Sequence, residues 1–183
     1  MYFGKKPTIT AFLVFAALLF IPKEVVAMQI STQAFSDRQE IPIKYCMPGA
    51  GGDNISLPVK WSQIPDGTES LALTVIDPHP IANNWIHWMV INIPADTDSL
   101  PEGASGKSMP AGARELANSF GKAGYGGPQP PKGTGEHPYV LTVYALDTKE
   151  LSLAEDAGLE EFKRAIDGHI LDKAQTTGMF EQK

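Results

Sequence analysis

Few residues in this chain are able to do chemistry. Asp77 closes one apolar run, Ser70–Asp77, just before Pro78; His87 lies inside a second, Trp85–Ile93; His137 and Tyr139 lead into a third, Tyr139–Leu146, after a Gly/Pro-rich segment. One carboxylate and two imidazoles, brought together by neighbouring strands, make a candidate site. By inventory they resemble a two-His-one-carboxylate metal triad, although the spacing is not that of a helical HExxH motif. Two imidazoles beside the backbone N–H groups of a Gly-rich loop equally suit an oxyanion such as phosphate. Spacing alone does not choose between metal and anion. There is no GxxxxGK(S/T) sequence and no strand–GxGxxG–helix unit, so nucleotide hydrolysis and dinucleotide binding are not indicated. There is also no GxSxG, and Cys46 lies far in sequence from either histidine.

Each of these residues also has a plain structural reading. A histidine in an apolar strand is often a hydrogen-bonded core residue, an Asp before Pro is a common turn former, and His137, Tyr139 and His79 would fit loops or surface. Their joint placement, where apolar strands meet Gly/Pro-shaped loops, is what points to a small-ligand pocket.

The elements that must hold them can be read from the pattern. The three runs are too apolar for strands with one solvated face and suit central strands buried on both faces. Weaker strand candidates are Gln29–Phe35, Val59–Trp61 and Thr176–Glu181. Leu159, Phe162, Ile166, Ile170 and Ala174 recur at helical spacing, with charged residues between them, which predicts a helix of roughly four turns. The stretch from Pro94 to Pro138 is long for a structureless loop, and such loops are commonly functional. Within it, Gly124–Gly135 holds five glycines and three prolines, residues that shape backbone rather than fill a core.

Composition bounds the class. The chain has 183 residues, is 43% hydrophobic and carries 15 basic against 21 acidic residues. Disorder and polybasic nucleic-acid binding are disfavoured, and one cysteine excludes an intramolecular disulfide. The N-terminus reads as an address: Lys5 and Lys6, an apolar run from Ala11 to Ile21, then Pro22 and Val25-Val26-Ala27 form the three parts of a secretory signal peptide cleaved after Ala27. The apolar run is short for a membrane span. The expected division is therefore a signal peptide over 1–27 and one domain over 28–183, with 12 basic and 20 acidic residues, net −8. That protein would be periplasmic or secreted, without an integral membrane segment after cleavage, and Cys46 would be buried as a small hydrophobe.

The motifs as a set resemble the phosphatidylethanolamine-binding protein family, in its bacterial Raf-kinase-inhibitor-like branch. The first signature is similar to Thr74–Pro78 followed by Trp85–Pro94, the second to Gly124–Tyr139, and lesser likenesses run from Tyr45-Cys46 to Gly178-Met179-Phe180. The resemblance implies a mainly β fold: two antiparallel sheets packed as a Greek-key sandwich with a few peripheral helices. It also implies an anion pocket lined by Asp77, Trp85, His87, Gly127, Pro131, His137 and Tyr139, taking phosphate-like or carboxylate groups, phospholipid headgroups included. His79 stands where the family signature commonly has a second acid, and one residue is missing before Pro80. The implied role is binding, with modulation or inhibition of a protein partner such as a protease or kinase, and no cofactor. The competing functions are a hydrolase using the His/His/Asp set and an inhibitor-like module with a vestigial pocket. Strand pairing is also compatible with a homodimer.

Overall fold

Three apolar runs dictate the architecture. The computed structural model describes residues 1–4 and 26–183, so most of the expected leader lies outside the described residues. In chain order the strands are β1 (Gln29–Ser31), β2 (Gln39–Glu40), β3 (Val59–Ser62), β4 (Ser70–Asp77), β5 (Trp85–Pro94), β6 (Ser99–Leu100), β7 (Arg114–Glu115), β8 (His137–Leu146) and β9 (Ile170–Phe180), with helix α1 (Leu159–Ile166) before β9. A small sheet runs β1-β3-β6 and a large one β2-β9-β8-β4-β5-β7. All pairings are antiparallel except β2 with β9. The expected mainly β, two-sheet fold is the one observed.

Alternation along the central strands explains why both faces are apolar. Leu71, Leu73 and Val75 of β4, Trp88 and Val90 of β5, and Leu141 and Val143 of β8 face a core shared with Val59, Trp61 and Leu100 of the small sheet. Ala72 of β4 and Met89 and Ile91 of β5 face the other way, onto Phe162 and Ile166 of α1 and onto Leu151 and Leu116. Small sheet, large sheet and helix thus form three layers, with β4 covered on both sides.

The structure shortens the predicted helix. It stops at Ile166, Asp167 has extended backbone, and Gly168 sits at φ +78°, a conformation that ends helices rather than continuing them. Ile170 to Ala174, which fit the helical period, instead pair with β8 along β9. Two residues of coincident periodicity could not outweigh a left-handed glycine followed by a ladder partner. The helix start is conventional: Glu161 Oε2 accepts the Gly158 N–H at 2.7 Å, and Glu160 and Glu161 lie in the first turn. Of the weaker strands, Gln29–Phe35 is reduced to three residues, while Val59–Trp61 and Thr176–Glu181 lie in or along β3 and β9. The long stretch after β5 carries β6 and β7, each only two residues.

Cys46 is fully buried, and burial pushes its thiol up to about 12. It behaves as the small hydrophobe expected.

Phe162 is the anchor of the outer layer, fully buried and edge-on to Tyr144 at 5.7 Å between centroids. Phe162→Ala should cost about 3–5 kcal/mol in urea unfolding. A loss below about 1 kcal/mol would mean that α1 contributes little to the large sheet.

The candidate anion pocket and its family

The ends of β4, β5 and β8 deliver the site. β4 and β8 pair from Ser70↔Leu146 to Ile76↔Val140, which sets Asp77 next to the start of β8, and β4 pairs with β5 so that Asp77 faces Trp85. Asp77, His87, His137 and Tyr139 all end buried. With Ile81, Ala82, Trp85, Phe120, Gln129, Pro130 and Pro131 they line a cavity of about 340 Å³. Six of the seven expected site residues meet there. The seventh, Gly127, lies behind the wall: its N–H donates to Asn54 Oδ1 at 2.7 Å, and a side chain there would collide with the Tyr45 carbonyl.

A hydrogen-bond chain fixes the polar wall. His137 Nδ1 donates to Asp77 Oδ2 at 2.6 Å, and its Nε2 meets Thr134 Oγ1 at 2.9 Å. The Thr134 hydroxyl donates in turn to Pro131 O at 2.7 Å. Asp77 Oδ1 accepts the His79 N–H at 2.8 Å, and the His79 ring stacks on His137 with centroids 3.8 Å apart. Asp77 therefore orients an imidazole and closes a turn at once. His79, first read as a loop residue, backs the site.

His87 belongs to a different environment. Its Nδ1 donates to Gly126 O at 2.6 Å while the Gly126 N–H donates to His87 O at 2.8 Å. The ring stands edge-on to Tyr139 at 4.9 Å and to Phe120 at 5.8 Å. Burial pushes its pKa down to about 4, against the opposing pull of the Gly126 carbonyl and of Asp77. Tyr139 is raised well above the ordinary phenol range, first by burial and then by Asp77. Its hydroxyl is buried and has no hydrogen-bond partner among the described residues. Trp85 stays about one-third exposed at the mouth and meets Phe120 edge-on at 5.4 Å.

Sequence reasoning did not single out Phe120, Gln129, Ile81 or Thr134. Only the Gly/Pro loop hinted at walls, and a loop's path is not written in periodicity. Among the described residues no cluster of three metal-ligating side chains is found. The two histidines face different partners, which does not make the triad considered from the inventory.

The fold is thus a two-sheet β protein with a buried His/Asp/Tyr cavity at one end of its large sheet. The family model described as phosphatidylethanolamine-binding protein matches residues 31–181. The chain is 39% identical over 158 residues to the UPF0098 protein YbhB of Escherichia coli, covering 84% of this chain and 99% of that one. It is 33% identical over 182 residues to UPF0098 protein YbcL of the same organism, covering 96% of each. The crystal structure of E. coli YbcL, described as a new member of the mammalian PEBP family, superposes with a TM-score of 0.81 at 33% identity, covering 86% of this chain and 100% of that one. The chain belongs to the phosphatidylethanolamine-binding protein family.

Two outcomes test this geometry. His137→Ala leaves the buried Asp77 carboxylate without its ring partner and should cost about 3–5 kcal/mol. The Asp77→Asn, His137→Ala double variant should recover part of that loss in urea unfolding, whereas strictly additive costs would show the two side chains to be uncoupled. The second concerns pH. Unfolded histidine binds its proton near 6.5 and folded His87 only near 4, so the unfolded state holds more protons in between. Stability from His87 is present above pH 6.5 and lost as pH falls towards 4, by about 3 kcal/mol in all. Between pH 7 and pH 4 the protein should lose that much more than its His87→Gln variant; equal losses would place His87 in a solvated setting.

Proposed function

We propose that this protein binds a small oxyanion-type ligand, a carboxylate or phosphate group, in the Asp77/His87/His137/Tyr139 cavity. The observation that carries the reading is the Tyr139 hydroxyl, buried at the cavity with no partner. A buried donor left unmade costs about 1–3 kcal/mol, which a ligand oxygen would recover. Wide apolar walls with a few convergent polar groups are the usual make-up of a small-molecule site. The phosphatidylethanolamine named in the family's description carries a phosphate, which agrees with that ligand chemistry.

Binding is favoured over hydrolysis by the hydrogen-bond order. Asp77, His137 and Thr134 follow one another as in an acyl-transfer triad, but the Thr134 hydroxyl is directed at Pro131 O and Thr134 is not part of the cavity lining. We place the protein outside the cytoplasm, on the signal-peptide pattern of residues 1–27. Among the described residues no helix is long and apolar enough to cross a membrane. Ile81 and Trp85 leave apolar surface at the cavity mouth, where a partner protein would sense whether a ligand is bound.

Calorimetric titration with inorganic phosphate and with acetate tests the site. Tyr139→Phe should weaken binding about tenfold or more, since hydrogen bonds to charged groups contribute about 1.5–3 kcal/mol. Undiminished affinity in both Tyr139→Phe and His87→Ala would move the ligand elsewhere.

A further inference from the structure

Met28 marks an abrupt boundary in the chain. Val26 and Ala27 are exposed, whereas Met28 is 5% exposed and belongs to the core that the two sheets share. It stands immediately before β1, whose Gln29 pairs with Ser62 of β3 in the small sheet. Its main-chain nitrogen lies 2.8 Å from Asp172 Oδ2, on β9 of the large sheet. The leader pattern puts the cleavage point at the same place, between Ala27 and Met28. Two independent features therefore meet at one peptide bond: the small residue expected before a leader cut, and the first buried side chain among the described residues.

Asp172 is an acceptor in want of a cation. Its Oδ1 takes the N–H of its own neighbour Lys173 at 2.8 Å, and its Oδ2 takes the Met28 nitrogen. Among the described residues it forms no ion pair. The residue is half-buried, and a carboxylate drawn out of water is best offset by an opposite charge. While residue 27 is attached, Met28 offers only a neutral amide N–H. Once that bond is cut, the same nitrogen is an α-ammonium with three N–H donors and a full positive charge. The 2.8 Å separation is already that of a charge-assisted N–H···O bond, about 2.7–2.9 Å. β9 also gains from such a partner. β2 pairs with it only at Gly178 and Met179, so among the described residues the run from Ile170 to Gln175 has no strand neighbour on that side, and Ile170 and Leu171 are exposed. An open edge of this kind is a template for unwanted strand addition.

We propose that the Ala27–Met28 bond is cut during export and that the new Met28 α-ammonium pairs with Asp172, fastening β1 of the small sheet to the open edge of β9. The inference rests on the export reading above and adds the docking site of the cleavage product. A leader peptidase supplies the catalysis and water is the second reactant. The bond between Ala27 C and Met28 N breaks, Ala27 leaves as a carboxylate, and Met28 keeps the ammonium. The cut precedes the end of folding, because Met28 is buried in the folded domain. Release from the leader and completion of the fold are thereby coupled: the domain acquires this ion pair only as the processed chain.

In the experiment the full-length chain is expressed with its leader in an exporting bacterium, and the exported protein is weighed by intact mass spectrometry. The expected mass is that of Met28–Lys183. A portion is acetylated at its α-amine in urea at about pH 7, where lysine amines hold their protons far more firmly, and is refolded. Acetylation removes the charge and keeps the N–H, as the uncut chain does. Free and acetylated proteins are then unfolded in urea, with Asp172 and with Asp172→Asn. In the free-amine protein Asp172→Asn should lower the folding equilibrium constant about fivefold, and in the acetylated protein about twofold or less. If Asp172→Asn does not fold, acetylation of the unaltered protein decides alone: it should cost about fivefold, and no change overturns the ion pair. An equal effect of Asp172→Asn in both forms overturns the ion pair and leaves export standing. An exported protein that begins at another residue overturns the cleavage point and the inference, and again leaves export standing. A chain that keeps residues 1–27 and stays in the cytoplasm overturns export and the inference together.

Discussion

The contact between Asp77 and His137 is the constraint on which the site depends. A carboxylate at the last residue of β4 is carried into the interior by the same ladder that pairs β4 with β8. It is tolerable there only because one oxygen meets the His137 ring and the other meets the His79 N–H. Each bond then organises something further away. The His79 contact turns the chain out of β4 and sets the His79 ring flat on His137. The far nitrogen of His137 holds Thr134, which holds Pro131, so the Gly/Pro loop lies over the ends of the strands rather than out in solvent. The cavity roof hangs from a buried acid on the neighbouring strand.

The surrounding layers bury this arrangement. β4 and β5 are packed on one face by the small sheet and on the other by α1 and its neighbours, so little water reaches the strand ends. In that setting His87 cannot remain a cation, and the Gly126 carbonyl decides which nitrogen keeps the proton. Gly126 and Gly127 are glycines for a packing reason: a Cβ would meet the Phe120 ring at the first and backbone of Tyr45 and Cys46 at the second. The loop's glycine content thus serves close approach, which in turn aims the carbonyl at His87.

Much of this was legible in the sequence, for reasons that differ by residue. The three central strands were readable because burial on both faces writes a continuous apolar run, and no short helix competes with eight such residues. The joint importance of Asp77, His87, His137 and Tyr139 was readable because polar residues at the edge of apolar runs are costly and therefore purposeful. Ile170 to Ala174 fit a helix as well as a strand because the two periods coincide over a few residues, and only the φ of +78° at Gly168 shows that the helix stops before them. The division of labour between the histidines was not readable at all. That Gly127 faces Asn54, while Gly126 faces His87, depends on the loop's path through space. Nor could Asn92 be read: at φ +58° it interrupts β5, and its amide pairs with both the N–H and the carbonyl of Leu151 in place of a strand neighbour.

Charge on the outside and polarity on the inside act in the same direction. Residues 28–183 carry a net charge of −8, so the field around the protein opposes the approach of any anion within a screening length of about 10 Å at 0.1 M salt. A cavity meant to overcome this with fixed positive charge would need an unpaired lysine, arginine or imidazolium among its lining residues. It has none but histidines, one engaged at both nitrogens and one neutral. What it has instead is the orphaned Tyr139 hydroxyl, on a ring that stands edge-on to His87. That hydroxyl costs stability while unpartnered, and a ligand oxygen accepting from it would recover the cost. An anion arriving at this cavity would therefore have to be held by hydrogen bonds rather than by a fixed positive charge.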